Sequence, residues 1–249
     1  MIVAAVLICD RKAYSQDYAL RALIEDPVVD RIYLNIETSK PARYDGLIHF
    51  MDTCGKPYDV DFWSTTSSWL IPPQFDQDQR RLVPITRARN MAIDYAMFGQ
   101  ADYLLFVDAD VVPDKGSIAR LVSLRRNLAG GLVPGRGVHS HVHYVFYSRR
   151  PPVYEGPLII CDHGTCGFML ISRKVFSQLR FRYGGDPEGL TGDVLSEDPA
   201  YCIDWYVRTG ERFVIHKQAT ARHLDDPRHP LTEQETAVET PEVVYRGYP

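Results

Sequence analysis

Apolar residues run unbroken from Ile2 to Cys9, and polar ones take over at Asp10. Such a run, without alternation, predicts a strand covered on both faces, as in a parallel sheet. Tyr14, Tyr18, Leu20, Leu23 and Ile24 then recur at helical spacing until Pro27. "RIYLNIET", 31–38, is a second strand, and strand, helix, strand make one βαβ unit. "YDVDFWS", 58–64, predicts a third strand, whereas the prolines and polar residues of 68–81 predict a loop. A helix is expected from Thr86, as N-cap, to Phe98, with Ala88, Met91, Ala92, Tyr95 and Ala96 buried and Gly99 as its stop. An apolar strand, 103–107, follows, and Pro113 is expected to open a helix of about 114–128 with Leu128 on its apolar face.

The second half is less regular. It predicts short strands at about 131–134, 142–147 and 167–172, a mobile Gly-rich segment at 183–193, a helix at about 198–209 ended by Gly210, and a strand at 212–216. The pattern therefore describes an α/β fold: a Rossmann-like, mostly parallel central sheet flanked by helices, then a mixed second half, in one domain over 1–224 with an acidic tail at 225–249.

Composition narrows this further. At 249 residues and 45% apolar, the chain can bury a sizeable core. Its net charge of −4 is accounted for by the tail, where six acids face Arg228 and Arg246. The balance elsewhere argues against a dedicated nucleic-acid binder, although arginines at 80–81, 87, 89, 125–126 and 149–150 suit an anionic ligand. Five cysteines without a C-x-x-C pair suggest reduced thiols, hence a cytoplasmic setting, and not a zinc ribbon. The opening apolar run is too short to span a bilayer and lacks the leading charge of a secretion signal, so no membrane span is expected.

The stretch "LLFVDADVVPD" carries the sharpest chemical signal. Asp108 and Asp110 end an apolar strand one residue apart, and two carboxylates so close repel unless something positive lies between them. Hard oxygen donors at the C-terminal end of a central strand suit Mg²⁺ or Mn²⁺ with a phosphate ligand. The plainer alternative is that one acid, or Asp114, caps the next helix while the other is solvated.

Four ordered stretches carry a resemblance. "TRARNMAIDYAMFGQADYLLFVDADVVPD" (86–114), "GTCGFMLISRKVF" (164–176), "SED" (196–198) and "FVIHKQATARHL" (213–224) resemble, in order and spacing, the motifs of GT-A fold glycosyltransferases, in particular inverting, family-2-like members. The resemblance implies metal-dependent transfer of a sugar from a nucleotide-diphosphate donor, UDP-linked in preference to GDP-linked, to an acceptor hydroxyl. It implies a nucleotide-sugar half at 1–114 and an acceptor half at 115–224. Asp108, Asp110 and His223 would hold Mn²⁺ or Mg²⁺, and Asp198, with Glu197 as the alternative, would be the base. Donor contacts would come from Cys9, Asp10, Glu37, Thr38, Arg87, Arg89, Asp108, Ala109, Gly164, Thr165 and Gly167. The 183–196 loop would order over the donor. The acceptor is not legible; a glycan precursor and a hydroxymethylated DNA base both fit. Ser196, Glu197 and Asp198 also suit a plain helix start, and Arg87 and Arg89 ordinary helix surface.

Other readings compete. His139, His141 and His143 alternate, so on a strand they share one face, and a solvated or acceptor-facing strand suits them better than a metal site. His216 suits a core or surface position. The D-x-D run also fits haloacid-dehalogenase-like phosphatases, with Ser172, Lys174 and Asp225–Asp226 in later roles, but that family carries the motif on its first strand. A nucleotide-sugar pyrophosphorylase would share the sheet, but "CDRKAYS" stands where its Gly-rich, Arg-containing signature would follow the first strand; a non-catalytic nucleotide- or sugar-binding module is the remaining alternative.

Overall fold

The computed structural model describes residues 1–10, 15–64, 77–133, 142–148, 150–185, 194–224 and 242–247. Its first half runs β1 (Ile2–Cys9), α1 (Gln16–Glu25), β2 (Arg31–Glu37), a 3₁₀ turn at Pro41–Tyr44, α2 (Asp45–Thr53), β3 (Tyr58–Trp63), α3 (Gln77–Phe98) and β4 (Tyr103–Asp108). The second half runs β5 (Val111–Pro113), α4 (Ser117–Ser123), β6 (Leu128–Leu132), β7 (Val142–Ser148), β8 (Val153–Glu155), β9 (Leu158–Cys161), β10 (Phe168–Ser172) and α5 (Arg173–Phe176). It closes with β11 (Gly184–Gly185), β12 (Val194–Leu195), α6 (Glu197–Thr209), β13 (Phe213–His223) and β14 (Glu242–Gly247).

One ten-stranded sheet dominates, in the order β3-β2-β1-β4-β10-β6-β13-β9-β8 with β5 on β13. The four strands of the first half are parallel, as the βαβ pattern requires. β10 then enters antiparallel between β4 and β6, and the far side is mixed. Alternation along each strand sorts the core into two layers. Val3, Ala5, Leu104 and Phe106 join Ala92, Ala96 and Trp205 on one face. Ile2, Ala4, Val6, Leu105 and Val107 join Leu20, Leu23 and Ile118 on the other.

Several boundaries differ from the sequence reading. α3 starts at Gln77, so residues 77–81 are helix and not loop, and Thr86 is buried inside α3 instead of capping it. Gln, Arg and Leu are strong helix formers, and together they outweigh the one backbone bond that Pro84 removes. Pro113 opens no helix: it ends β5, which pairs with β13 through Ala221, Arg222 and His223. α4 is accordingly short, starting after Gly116 at φ 80°, and Leu128 belongs to β6. β13 runs far past 216, with a register shift between His216 and Thr220 that lets one strand pair with β6 and β9 early and β5 late. The 3₁₀ turn, α2, β8 and β9 were not anticipated. Within the acidic tail, residues 242–247 pair in parallel with β7.

Close packing of β6 makes a test. A Cβ on Gly131 would lie 2.3 Å from the Ala219 carbonyl oxygen and 2.4 Å from Phe168 Cδ1, whereas one on Gly46 in α2 meets nothing within 4 Å. Gly131→Ala is expected to cost about 1–3 kcal/mol, and Gly46→Ala to gain up to about 1 kcal/mol, both read from urea unfolding midpoints.

Candidate active site

The parallel strands deliver their C-terminal ends to one place, the position at which open α/β sheets hold ligands. A cavity of about 640 Å³ lies there. Cys9 ends β1, Glu37 ends β2, Trp63 ends β3 and Asp108 ends β4, and all four line it. Leu82, Pro84, Ile85, Ala88 and Arg89 of α3 form a wall, and Ser196, Glu197 and Asp198 at the start of α6 form another.

The D-x-D turn is fixed by the backbone on both sides. The Asp108 N–H donates to the Gly167 carbonyl at 3.1 Å, and the Leu224 N–H donates to the Asp110 carbonyl at 2.8 Å. Asp110 is 2% exposed, and its Oδ2 lies 3.5 Å from His223 Nε2. The antiparallel pairing of His223 with Val111 produces that approach. Across the turn, a Cβ on Gly167 would stand in ordinary contact with Asp108 Oδ2 at 3.7 Å but tight against Thr165 Oγ1 at 3.2 Å. Thr165 Oγ1 in turn accepts the Gly167 N–H at 2.9 Å.

At α6, Ser196 occupies the N-cap position but makes no side-chain cap bond; its hydroxyl donates to Asp198 Oδ1 at 3.4 Å. The Cys166 N–H donates to Asp198 Oδ2 at 3.2 Å. Glu197 is 3% exposed, with its Oε1 2.7 Å from an equally buried Arg89 NH1, and the same nitrogen is 3.8 Å from Asp198 Oδ1. Burial pushes the Glu197 carboxyl above its ordinary range, the Arg89 charge pulls it down, and Asp198 and Asp108 push it up again. Burial alone would lower the Arg89 guanidinium, but its anionic neighbours hold it above its usual value. Burial likewise raises the Cys166 thiol well above normal, so it stays neutral.

The charge balance is lopsided. Among the described lining residues Glu37, Asp108, Asp110, Glu197 and Asp198 are acidic and Arg89 alone is basic. Carboxylate oxygens with an imidazole fit a hard divalent cation in donor chemistry. Among the described residues no three such side chains converge as a finished metal cluster; Asp110 and His223 are the pair in contact, with Asp108 on the same cavity.

No protein-family model matches this sequence, and no curated protein is similar to it in sequence. In three dimensions, 90% of the chain matches 44% of GalNAc-T7 with UDP, GalNAc and Mn²⁺, at TM-score 0.59 and 13% identity. An equal share matches 56% of the mannosyltransferase PcManGT from Pyrobaculum calidifontis in complex with GDP-Man and Mn²⁺, at 0.55 and 12%. It also matches 60% of S. aureus TarS 1–349, at 0.54 and 13%. The fold is GT-A. The chain thus spans 44% to 60% of these larger structures.

Within this GT-A framework, Cys9, Glu37, Arg89, Asp108, Asp110, Thr165, Glu197 and Asp198 reach one cavity from positions scattered along the sequence. The other candidates stand outside its lining. Asp10 accepts from the Tyr44 hydroxyl at 3.1 Å and lies 3.5 Å from Arg43. Thr38 Oγ1 accepts the Lys40 N–H, and Arg87 stacks 5.1 Å over the Trp63 ring. Ala109 is fully buried in the turn, and Gly164 packs under Phe213. His216 is a buried strand residue whose imidazole burial pushes down, with the Arg120 charge adding to it. His143 falls in β7, and His139, His141 and most of the 183–196 loop lie outside the described residues; β11 and β12 pair at that loop's two ends. Among the described residues no helix is long and apolar enough to cross a membrane.

Sequence reasoning missed Asn35 and Trp63. Trp63 Nε1 donates to Asn35 Oδ1 at 2.6 Å, and Asn35 Nδ2 donates to the Tyr33 hydroxyl at 3.2 Å. An amide inside the apolar run of β2 was the available signal, because a buried amide needs partners.

The Arg89–Glu197 pair is open to a stability test. Arg89→Met alone leaves a buried carboxylate unpaired and is expected to cost about 3–5 kcal/mol. The combined Arg89→Met, Glu197→Met variant is expected to recover most of that loss in equilibrium unfolding.

Proposed function

We propose that this chain is a metal-dependent, inverting glycosyltransferase that moves a sugar from a nucleotide-diphosphate donor, UDP-linked, to an acceptor hydroxyl. One observation carries the reading: among the described residues, five carboxylates and a single guanidinium line the cavity at the strand ends. A diphosphate would be repelled from such a cavity unless a cation entered with it. Asp110 and His223, with Asp108, are the side chains that would hold Mn²⁺ or Mg²⁺. The ion, when bound, supplies Lewis-acid stabilisation of the departing diphosphate.

This chain's own groups do the rest. Asp198 takes the proton of the acceptor hydroxyl as its oxygen attacks the anomeric carbon, with the Cys166 N–H and the Ser196 hydroxyl fixing its carboxylate. Glu197, the alternative base, is committed to Arg89. The ends of β1, β2 and β3, with Cys9, Glu37, Asn35 and Trp63, form the nucleotide side, and the segment after β4 forms the acceptor half. Likeness to proteins whose structures contain UDP or GDP-Man with Mn²⁺ supports the donor class.

The phosphatase alternative loses support from register. Ser172 pairs with Tyr103 at the opposite end of β4 from Asp108, roughly 16 Å away at 3.3 Å per residue. Lys174 lies beyond it, over Trp205. A phosphatase built on Asp108 would need both at the other end of the strand.

The test is hydrolysis of a nucleotide-sugar panel with Mn²⁺ and no acceptor. Slow UDP-sugar turnover is expected, abolished by chelation and by Asp110→Asn, and lowered about 10²–10⁴-fold by Asp198→Asn. Hydrolysis of simple phosphate monoesters, or full turnover by Asp198→Asn, would sink the reading.

A further inference from the structure

Arg89 does more than neutralise a buried acid. Its guanidinium lies 5.5 Å over the Phe181 ring, which Phe106 meets edge-on at 5.5 Å and Tyr201 of α6 stacks at 4.1 Å. The neighbouring Asn90 grips the backbone of that same phenylalanine twice: its Oδ1 accepts the Phe181 N–H at 2.8 Å, and its Nδ2 donates to the Phe181 carbonyl at 3.0 Å. Asn90 thus fixes the platform, the platform carries Arg89, and Arg89 holds the first turn of α6 through Glu197. The next residue on that turn is Asp198.

We propose that Arg89 and Glu197, seated on Phe181, are positioning residues that aim the Asp198 carboxylate into the cavity. Arg89 NH1 itself stands 3.8 Å from Asp198 Oδ1, and the hydrogen bonds to Asp198 among the described residues are the Cys166 N–H at 3.2 Å and a long Ser196 hydroxyl contact of 3.4 Å. Neither sets the rotation of the helix turn that carries it. The Arg89–Glu197 contact does, because it ties the adjacent residue to α3, which also forms the cavity wall through Leu82, Ile85 and Ala88. A base misplaced by about 1 Å can lose on the order of 10²-fold in rate. The inference rests on Asp198 being the base, as proposed above.

The experiment follows Mn²⁺-dependent UDP-sugar hydrolysis in the wild type, Asp198→Asn, Glu197→Gln and the Arg89→Met, Glu197→Met double variant, with Tm recorded for each. Glu197→Gln and the double variant are expected to lose at least about tenfold in kcat, with donor KM within about twofold of wild type. The double variant should do so at near wild-type Tm, which a purely structural pair would not show. Wild-type kcat in a folded double variant, or a kcat loss that only follows the folded fraction, overturns the inference while Asp198→Asn remains inactive. An active Asp198→Asn instead overturns the reading on which it rests.

Discussion

Five acidic side chains cannot share one cavity without compensating positive charge, and that constraint organises this molecule. Arg89, buried on α3, answers Glu197 directly and stands close to Asp198. At the D-x-D turn, Asp110 Oδ2 faces the imidazole of His223 at 3.5 Å. In the proposed mechanism the cavity has two sides, one where Arg89 meets Glu197 and one where Asp108, Asp110 and His223 would hold a cation. The proposed transfer, which separates a base from a leaving anion, uses such a division.

Strand order creates it. β4 is parallel to β1 and antiparallel to β10, so the end of β4 meets the beginning of β10. That juxtaposition brings Thr165, Cys166 and Gly167 against Asp108 and Asp198 at once. With β10 parallel instead, these residues would lie a strand's length away. Loop chemistry alone would not have assembled the site.

How much of this could be read from residues alone follows from which interactions are local. The first parallel strands were legible because each is a continuous apolar run, and the D-x-D turn because two adjacent acids are costly without a reason. Pro113 misled for the opposite cause: its preference for a helix start is local, whereas its pairing with Ala221 is made by residues a hundred positions away. Arg89 suited either a donor contact or helix surface, because nothing nearby in the chain announces that it is buried against an acid. Its partners come from α6 and from Phe181, which only the folded chain brings near.

The register shift between His216 and Thr220 carries a consequence for how this chain can vary. Upstream of it β13 serves the core of the sheet; downstream, its last residues present alternate faces at the D-x-D turn. Because side chains on a strand alternate, gaining or losing a single residue there would exchange His223 for a neighbour of opposite orientation. Length in that short stretch is therefore held to an even or odd count, a stricter rule than residue identity, and related chains should obey it even where their sequences share little else.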